Sequence, residues 1–158
     1  MNAPILSEHD LADALARERE AGRTIAFANG CFDVLHVGHI RYLQGAAKEA
    51  DVLVVGVNGD ESVAELKGAG RPVMNEAERA EIISAIRGVS YVTIFRERSP
   101  ARLIGDFKPD VHCKGTDYTP DSVPEAELVG SYGGRVAIVG DPKEHSTTEL
   151  LKRMKAKG

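Results

Sequence analysis

The stretch NGCFDVLHVGHIRYL, residues 29–43, joins an apolar run to an amphipathic one. Two glycines, Gly30 and Gly38, and two histidines, His36 and His39, are therefore expected in a loop between a strand and a helix. A loop of this composition is compatible with a phosphate site, a metal site or an ordinary connection that carries surface histidines. The segments on either side help to separate these three alternatives.

Apolar runs alternate with helix-period segments along the whole chain. The predicted strands are residues 24–29, 51–58, 89–95, 110–115 and 135–140. Nearly continuous apolar strands separated by amphipathic segments are typical of a parallel sheet with helices on both faces. We therefore predict an α/β, doubly wound fold with a five-stranded parallel sheet, in one domain over residues 1–158.

Capping patterns predict where the helices begin. The predicted starts are Ser7 with Asp10, Asp60, Asn75 with Glu78, Ser99 before Pro100, and Ser146 or Thr147. Apolar residues at helical spacing predict which helix faces are buried. These residues are Leu11, Ala12, Leu15 and Ala16 in the first helix, Ile40, Leu43, Ala46 and Ala47 after the histidines, and Ile82, Ile83 and Ile86 after Asn75.

The bulk composition argues against several classes of function. The chain has 158 residues and a net charge of −4, with acids and bases mixed along its length, so it lacks the basic face that nucleic-acid binding needs. No apolar run is long enough to span a membrane, and the start of the chain does not resemble a secretory signal. We therefore expect a cytoplasmic protein with neither nucleic acid nor membrane as a partner.

The two cysteines, Cys31 and Cys113, are far apart and form no CxxC pair. This spacing favours small buried thiols over a disulfide framework or a zinc cluster.

Every loop with unusual chemistry follows a predicted strand. These loops are residues 30–39, 58–60 and 114–117 and the turn before Ser146. Because the carboxyl ends of parallel strands meet at the same edge of a sheet, we expect the four loops to form one site.

An anion is the ligand that this loop chemistry favours. Gly38 would let a ligand approach the backbone amides at the start of the helix, where the helix dipole is positive. His36 and His39 can donate hydrogen bonds to phosphate oxygens, and imidazolium character would add charge. A metal site is disfavoured because Asp33 is the only carboxylate close in sequence. Asp33 itself either braces the turn or takes a direct part in catalysis.

The sequence GCFDVLHVGH, residues 30–39, resembles the GxFDxxHxGH signature of the nucleotidyltransferase superfamily that includes the cytidylyltransferases. The run STT, residues 146–148, is similar to that superfamily's second signature. Further segments resemble the D-glycero-β-D-manno-heptose 1-phosphate adenylyltransferases, and the likeness extends from Thr24 to Met154. These segments are VNGD (57–60), LKGAGRPVMNEAER (66–79), CKGTDYTP (113–120) and YGGRV (132–136).

The resemblance implies a Rossmann-like fold and the transfer of AMP from ATP to a sugar 1-phosphate, with Mg²⁺, for ADP-heptose and lipopolysaccharide biosynthesis. It also implies a homodimer and a separate heptose kinase in the same pathway. The catalytic residues it implies are His36, His39 and Lys67. The nucleotide-binding residues are Gly30, Cys31, Phe32, Gly38, Arg79, Lys114, Asp117, Ser146, Thr147 and Thr148.

Several of these residues also have a purely structural interpretation. Lys67 and Arg71 lie in a glycine-rich stretch and could be solvated charges. Lys114 and Asp117 could form an ion pair with each other, and Arg79 could form one with Glu76 or Glu78.

One departure from the cytidylyltransferase pattern bears on the substrate. DPKEHSTT, residues 141–148, has no arginine and no glycine-isoleucine pair before the STT run. This favours the heptose branch and leaves the roles of Lys143 and His145 open. The alternatives are a cytidylyltransferase for glycerol 3-phosphate or a similar alcohol phosphate, an FAD-synthetase-like adenylyltransferase, and a nucleotide-binding sensor or flavin-binding carrier without turnover.

Overall fold

The computed structural model describes residues 1–141 and 147–157. Within them, five strands form one parallel sheet in the order β3-β2-β1-β4-β5. The strands are Ile25–Gly30 (β1), Val52–Asn58 (β2), Tyr91–Phe95 (β3), Val111–Lys114 (β4) and Arg135–Ile138 (β5). The predicted doubly wound, five-stranded parallel sheet is therefore confirmed, and each predicted strand is present with ends shifted by one or two residues.

Helices cover both faces of this sheet. The α-helices of the described residues are Glu8–Glu20 (α1), Val37–Ala47 (α2), Asp60–Lys67 (α3), Glu76–Ser84 (α4), Ala101–Phe107 (α5), Ala126–Ser131 (α6) and Thr147–Lys157 (α7), and Pro120–Ser122 form a 3₁₀ turn. Buried residues of α2 and α4 pack on one face of the sheet, and buried residues of α1, α5 and α6 pack on the other. None of the described helices is long and apolar enough to cross a membrane.

The central strand shows why the core has two layers. In β1, Ala26 and Ala28 pack in the layer of α2 and α4, whereas Ile25 and Phe27 pack in the layer of α1 and α5. Side chains alternate between the two faces of a strand, so a strand covered on both faces must be apolar at successive positions. This requirement is what made the strands recognisable in the sequence.

Two of the predicted helix starts are confirmed, and two differ by one residue. The Ser7 side chain accepts from the Asp10 amide, and the Asn75 side chain accepts from the Glu78 amide. Gly59, not Asp60, is the N-cap of α3, and Asp60 is its first residue. At α5 the N-cap is Pro100, and Ser99 Oγ accepts from the Ala101 amide. The predicted cap Ser146 lies outside the described residues.

The predicted buried faces need correction in three helices. In α1 the buried residues are Leu11, Ala14 and Leu15, whereas Ala12 and Ala16 are exposed. A step of one residue rotates a side chain by about 100° around the helix, so Ala12 and Ala16 point away from the stripe formed by the two leucines. For the same reason Ile40 and Ile82, on the flanks of α2 and α4, remain exposed.

Both cysteines are free thiols, but only one of them is buried as predicted. Cys113 is buried in β4, and Cys31 is half-buried just after β1.

Candidate active site

A cavity of about 310 Å³ opens at the carboxyl ends of β1, β4 and β5. It lies where the sheet order changes direction, because β2 and β3 follow on one side of β1 whereas β4 and β5 follow on the other. The predicted site residues that line it are Gly30, Cys31, Phe32, His36, Gly38, His39, Lys67, Lys114 and Asp117. Of Thr147 and Thr148 only the backbone at the start of α7 is described, and Ser146 lies outside the described residues.

The loop after β1 has a strained backbone. Phe32 has φ 50° and Val34 has φ 61°, in the left-handed region that side chains other than glycine rarely adopt. The ring of Phe32 lies directly against Gly30, where a Cβ atom would come within 3.0 Å of Phe32 Cζ. Gly30 is therefore needed for the close approach of this ring, and strain of this kind clusters at functional sites.

The two histidines are held by the backbone of their own turn. His36 is the N-cap of α2, and its Nδ1 accepts from the Gly38 amide at 3.1 Å. His39 Nδ1 accepts from the His36 amide at 3.2 Å, and the ring centroids are 4.0 Å apart. Because both Nδ1 atoms accept, each neutral ring carries its proton at Nε2 and can donate it to a ligand.

This geometry changes two expectations. The Gly38 amide is already donated to His36 and is not the open phosphate donor that the sequence predicted. Burial, with the nearby charges of His36 and Lys67, lowers the pKa of His39 to about 4. At neutral pH His39 is therefore a neutral donor in the free protein, and imidazolium character is not available from it.

The low pKa of His39 predicts a loss of stability in acid. The folded state holds the ring neutral down to about pH 4, whereas in the unfolded chain the histidine protonates near its ordinary pKa of 6.5. The stabilisation is therefore complete above pH 6.5 and is lost as the pH falls towards 4, with a slope of up to about 1.4 kcal/mol per pH unit. We expect urea unfolding between pH 7 and pH 4 to show this slope.

His39→Gln should remove that part of the slope. His9→Gln, at an exposed histidine of α1, is the matched control and should leave it unchanged. Equal slopes in the wild type and in His39→Gln would contradict a buried neutral His39.

Asp33 braces the loop between α3 and α4. Its buried carboxylate accepts from Arg71 Nε at 2.7 Å, from the Val73 amide at 2.8 Å and from the Met74 amide at 3.0 Å. Burial alone would raise the pKa of Asp33, but these hydrogen bonds outweigh it and the pKa lies below its ordinary value. Asp33 thus has the bracing role that the sequence left open, and its oxygens are occupied by protein donors.

Lys67 contributes an exposed cation to the cavity. It is the last residue of α3 and is followed by Gly68 and Gly70, both with positive φ. Within the described part of the chain it forms no ion pair. Arg71 also lines the cavity but is held by Asp33.

Arg79 does not reach the cavity. Its guanidinium is fully buried and donates to Cys31 O at 2.6 Å, Asn58 O at 2.7 Å, Met74 O at 2.9 Å and Asp60 Oδ1 at 2.9 Å. It therefore joins the ends of β1 and β2 to the start of α4 beneath the site, and it uses neither Glu76 nor Glu78 as a partner.

The structure adds cavity residues that the sequence did not single out. They include Asn29, Tyr42, Thr116 and Tyr118. The Tyr42 hydroxyl donates to Cys113 O at 2.6 Å, which ties α2 to β4. Tyr42 follows His39 by three residues in a helix, so their shared face was a usable signal. Lys114 Nζ lies 4.7 Å from the centroid of the Tyr118 ring.

The described residues do not form a metal cage in this cavity. The one group of three or more potential ligands found among them is His9, Asp10 and Asp13, exposed on α1. A Mg²⁺ ion bound with a nucleotide is usually held mainly by phosphates and water, so such an ion would need few ligands from the cavity.

Comparison with known proteins finds a matching family model and similar curated proteins. A family model described as cytidylyltransferase-like matches residues 27–154. The chain is 45% identical to the bifunctional protein HldE of Syntrophotalea carbinolica over 153 residues, which cover 97% of this chain and 31% of that protein. It is 48% identical to the bifunctional protein HldE of Geobacter metallireducens, with the same coverage. The chain thus spans about a third of the length of these relatives.

One solved structure extends the comparison to the fold. It is the lipopolysaccharide core biosynthesis protein from Thermoplasma volcanium GSS1, with a TM-score of 0.65 and 28% sequence identity. The match covers 77% of this chain and 100% of that chain.

Proposed function

The chain belongs to the cytidylyltransferase-like family of nucleotidyltransferases, and on that premise we propose that it transfers AMP from ATP to D-glycero-D-manno-heptose 1-phosphate. The products are ADP-heptose and pyrophosphate. The observation that carries the proposal is the pair of backbone-locked imidazoles at the start of α2, in one cavity with the exposed Lys67. A triphosphate needs this combination of directed donors and positive charge.

The chemistry of the transfer needs positioning more than a protein nucleophile. A phosphate oxygen of the sugar 1-phosphate, already ionised at neutral pH, attacks the α-phosphorus of ATP. The bond from that phosphorus to the oxygen bridging to the β-phosphate breaks, and pyrophosphate leaves. Phosphoryl-type transfer of this kind is accelerated mainly by orientation and by stabilisation of charge on the phosphate oxygens.

Five cavity residues have a role in this scheme. His36 and His39 donate from Nε2 to the triphosphate, and the ammonium group of Lys67 offsets charge that develops there. Phe32 and the backbone around Cys31 line the nucleotide pocket. Mg²⁺ bound with ATP would further neutralise the triphosphate; no residue of the cavity is needed as its dedicated ligand.

The choice of heptose phosphate and ATP rests on similarity. The segments 66–79 and 113–120 resemble the heptose 1-phosphate adenylyltransferases, and the matched Thermoplasma volcanium protein is described as acting in lipopolysaccharide core biosynthesis. A kinase that phosphorylates the sugar would have to supply the substrate. Transfer of CMP to glycerol 3-phosphate or a similar alcohol phosphate remains the second candidate, because the matched family model is cytidylyltransferase-like.

The decisive experiment measures pyrophosphate release. Purified protein is incubated with Mg²⁺, ATP and each anomer of D-glycero-D-manno-heptose 1-phosphate, and with CTP and glycerol 3-phosphate in parallel. We expect turnover with ATP and one heptose 1-phosphate anomer, and ADP-heptose as the product by mass spectrometry. Turnover with only CTP would identify the second candidate. Tight ATP binding without pyrophosphate release from any pair would indicate a sensor.

A further inference from the structure

A buried histidine, two residues before Lys114 in β4, contacts a buried glutamate. His112, in β4, is fully buried, and Glu125, at the start of α6, is 7% exposed. His112 Nε2 is 3.1 Å from Glu125 Oε1, and the imidazole stacks on Phe27 with 6.0 Å between ring centroids. Neither residue of the pair lines the cavity, so the transfer reaction described above assigns them no role.

The hydrogen bonds determine which member of the pair carries charge. His112 Nδ1 is buried and has no hydrogen-bond partner among the described residues. A proton on that atom would be a buried donor without an acceptor, which is unfavourable. The ring therefore carries its proton on Nε2 and donates it to Glu125. The carboxylate carries a negative charge, because the hydrogen bond from His112 outweighs burial and keeps the pKa of Glu125 below its ordinary value.

Lys114 is a cation on the same side of the sheet as this negative charge. His112 and Lys114 are two residues apart in the same strand, and side chains at that spacing point to the same face of a sheet. Burial lowers the pKa of Lys114, and the charges of Glu125 and Asp117 oppose that effect. Among the described residues, the groups that act on Lys114 include Glu125 from the start of α6 and Asp117 and Tyr118 from the loop after β4.

We infer that Glu125, oriented by the hydrogen bond from His112, is a positioning residue that keeps Lys114 charged at the cavity wall. Lys114 lines the same cavity as residues of the loop 30–39, where a charged ammonium group can bind an anionic group of the substrate. Without the carboxylate, the half-buried amine would lose its proton at a lower pH, and the cavity would lose a cation. The inference depends on the proposed function only for the identity of the substrate anion.

The test follows the titration of Lys114 directly. Protein labelled with ¹³C at the lysine Cε atoms is titrated by NMR, and the Lys114 signal is assigned with Lys114→Arg. Glu125→Gln keeps an oxygen that accepts from His112 but removes the charge. We expect it to move the Lys114 midpoint to lower pH by about one unit or more, the usual effect of a lost opposite charge. Glu127→Gln, on the exposed side of α6, is the matched control and should not move it.

Kinetics provide the second readout. In Glu125→Gln the alkaline limb of kcat/KM should move to lower pH with the Lys114 titration, and above the Lys114 midpoint KM should rise more than kcat falls. A merely structural role of Glu125 would lower stability without moving this limb. Asp117→Asn should move the Lys114 midpoint less than Glu125→Gln, because Asp117 is exposed and its charge is screened by water.

Two results would overturn the inference. One is an unchanged Lys114 titration in folded Glu125→Gln. The other, which applies even if that variant does not fold, is a midpoint shift of about one unit or more in Asp117→Asn alone. The NMR titration needs no substrate, so a shifted midpoint without ADP-heptose formation would remove only the proposed function. A normal midpoint with ADP-heptose formation would remove only the role of Glu125.

Discussion

Replacing His39 by alanine is expected to lower kcat about 10²- to 10³-fold, the usual cost of one preorganised donor to a reacting oxyanion, and His36→Ala should cause a loss of the same order. Both imidazoles carry their proton on Nε2 because both Nδ1 atoms accept hydrogen bonds from backbone amides. The donors are thus oriented before the substrate binds, and no reorganisation is needed as charge builds on the triphosphate. Pyrophosphate release under saturating ATP and sugar 1-phosphate measures the effect.

His36 needs a control because it also caps α2. An alanine at an N-cap costs about 0.5–2 kcal/mol of stability, which could lower activity for a reason unrelated to catalysis. His36→Asn separates the two roles, since asparagine is a good N-cap and can accept from the Gly38 amide as His36 does. We expect His36→Asn to regain most of the stability that His36→Ala loses but little of the activity. Near-normal turnover in both His36→Asn and His39→Ala would refute the proposed mechanism.

The features that could be predicted from sequence are those set by local pattern. Val52 to Val55 are apolar at four successive positions because β2 is covered on both faces, and that run identified the strand. The glycines and histidines of residues 30–39 identified the motif loop for a similar reason. Because the sheet is parallel, locating the strands also located the edge where the loops meet, and the cavity lies there.

The features that could not be predicted depend on backbone atoms brought together from distant parts of the chain. Asp33 accepts hydrogen bonds from amides that are 40 and 41 residues away in sequence. The pattern of side chains does not indicate which amides will need an acceptor. The donor of Gly38 is used by a side chain only two residues away, but only the φ and ψ angles of His36 make that possible. Sequence located the site; the assignment of its hydrogen bonds required the fold.

Arg79 is the clearest case, because sequence similarity placed it at the nucleotide and the structure buries it. Three of its acceptors are the carbonyl oxygens of Cys31, Asn58 and Met74. Removing the guanidinium leaves these oxygens without donors, and each buried unsatisfied group costs about 1–3 kcal/mol. The Asn58 carbonyl is buried, and water can partly reach the other two, so we expect Arg79→Met to lower the free energy of unfolding by about 3 kcal/mol.

The same variant distinguishes support of the site from contact with the nucleotide. If Arg79 contacted ATP, its replacement would raise the KM for ATP and leave the urea unfolding midpoint nearly unchanged. If Arg79 instead holds Cys31 and Asn58 in place, its replacement should chiefly lower the unfolding midpoint. A loss of about 3 kcal/mol is a large part of the roughly 5–15 kcal/mol that stabilises a domain. Arg87→Met, at an exposed arginine just after α4, is the matched control and should change neither quantity. A normal unfolding midpoint with a raised KM for ATP in Arg79→Met would contradict the supporting role and indicate that Arg79 contacts the nucleotide.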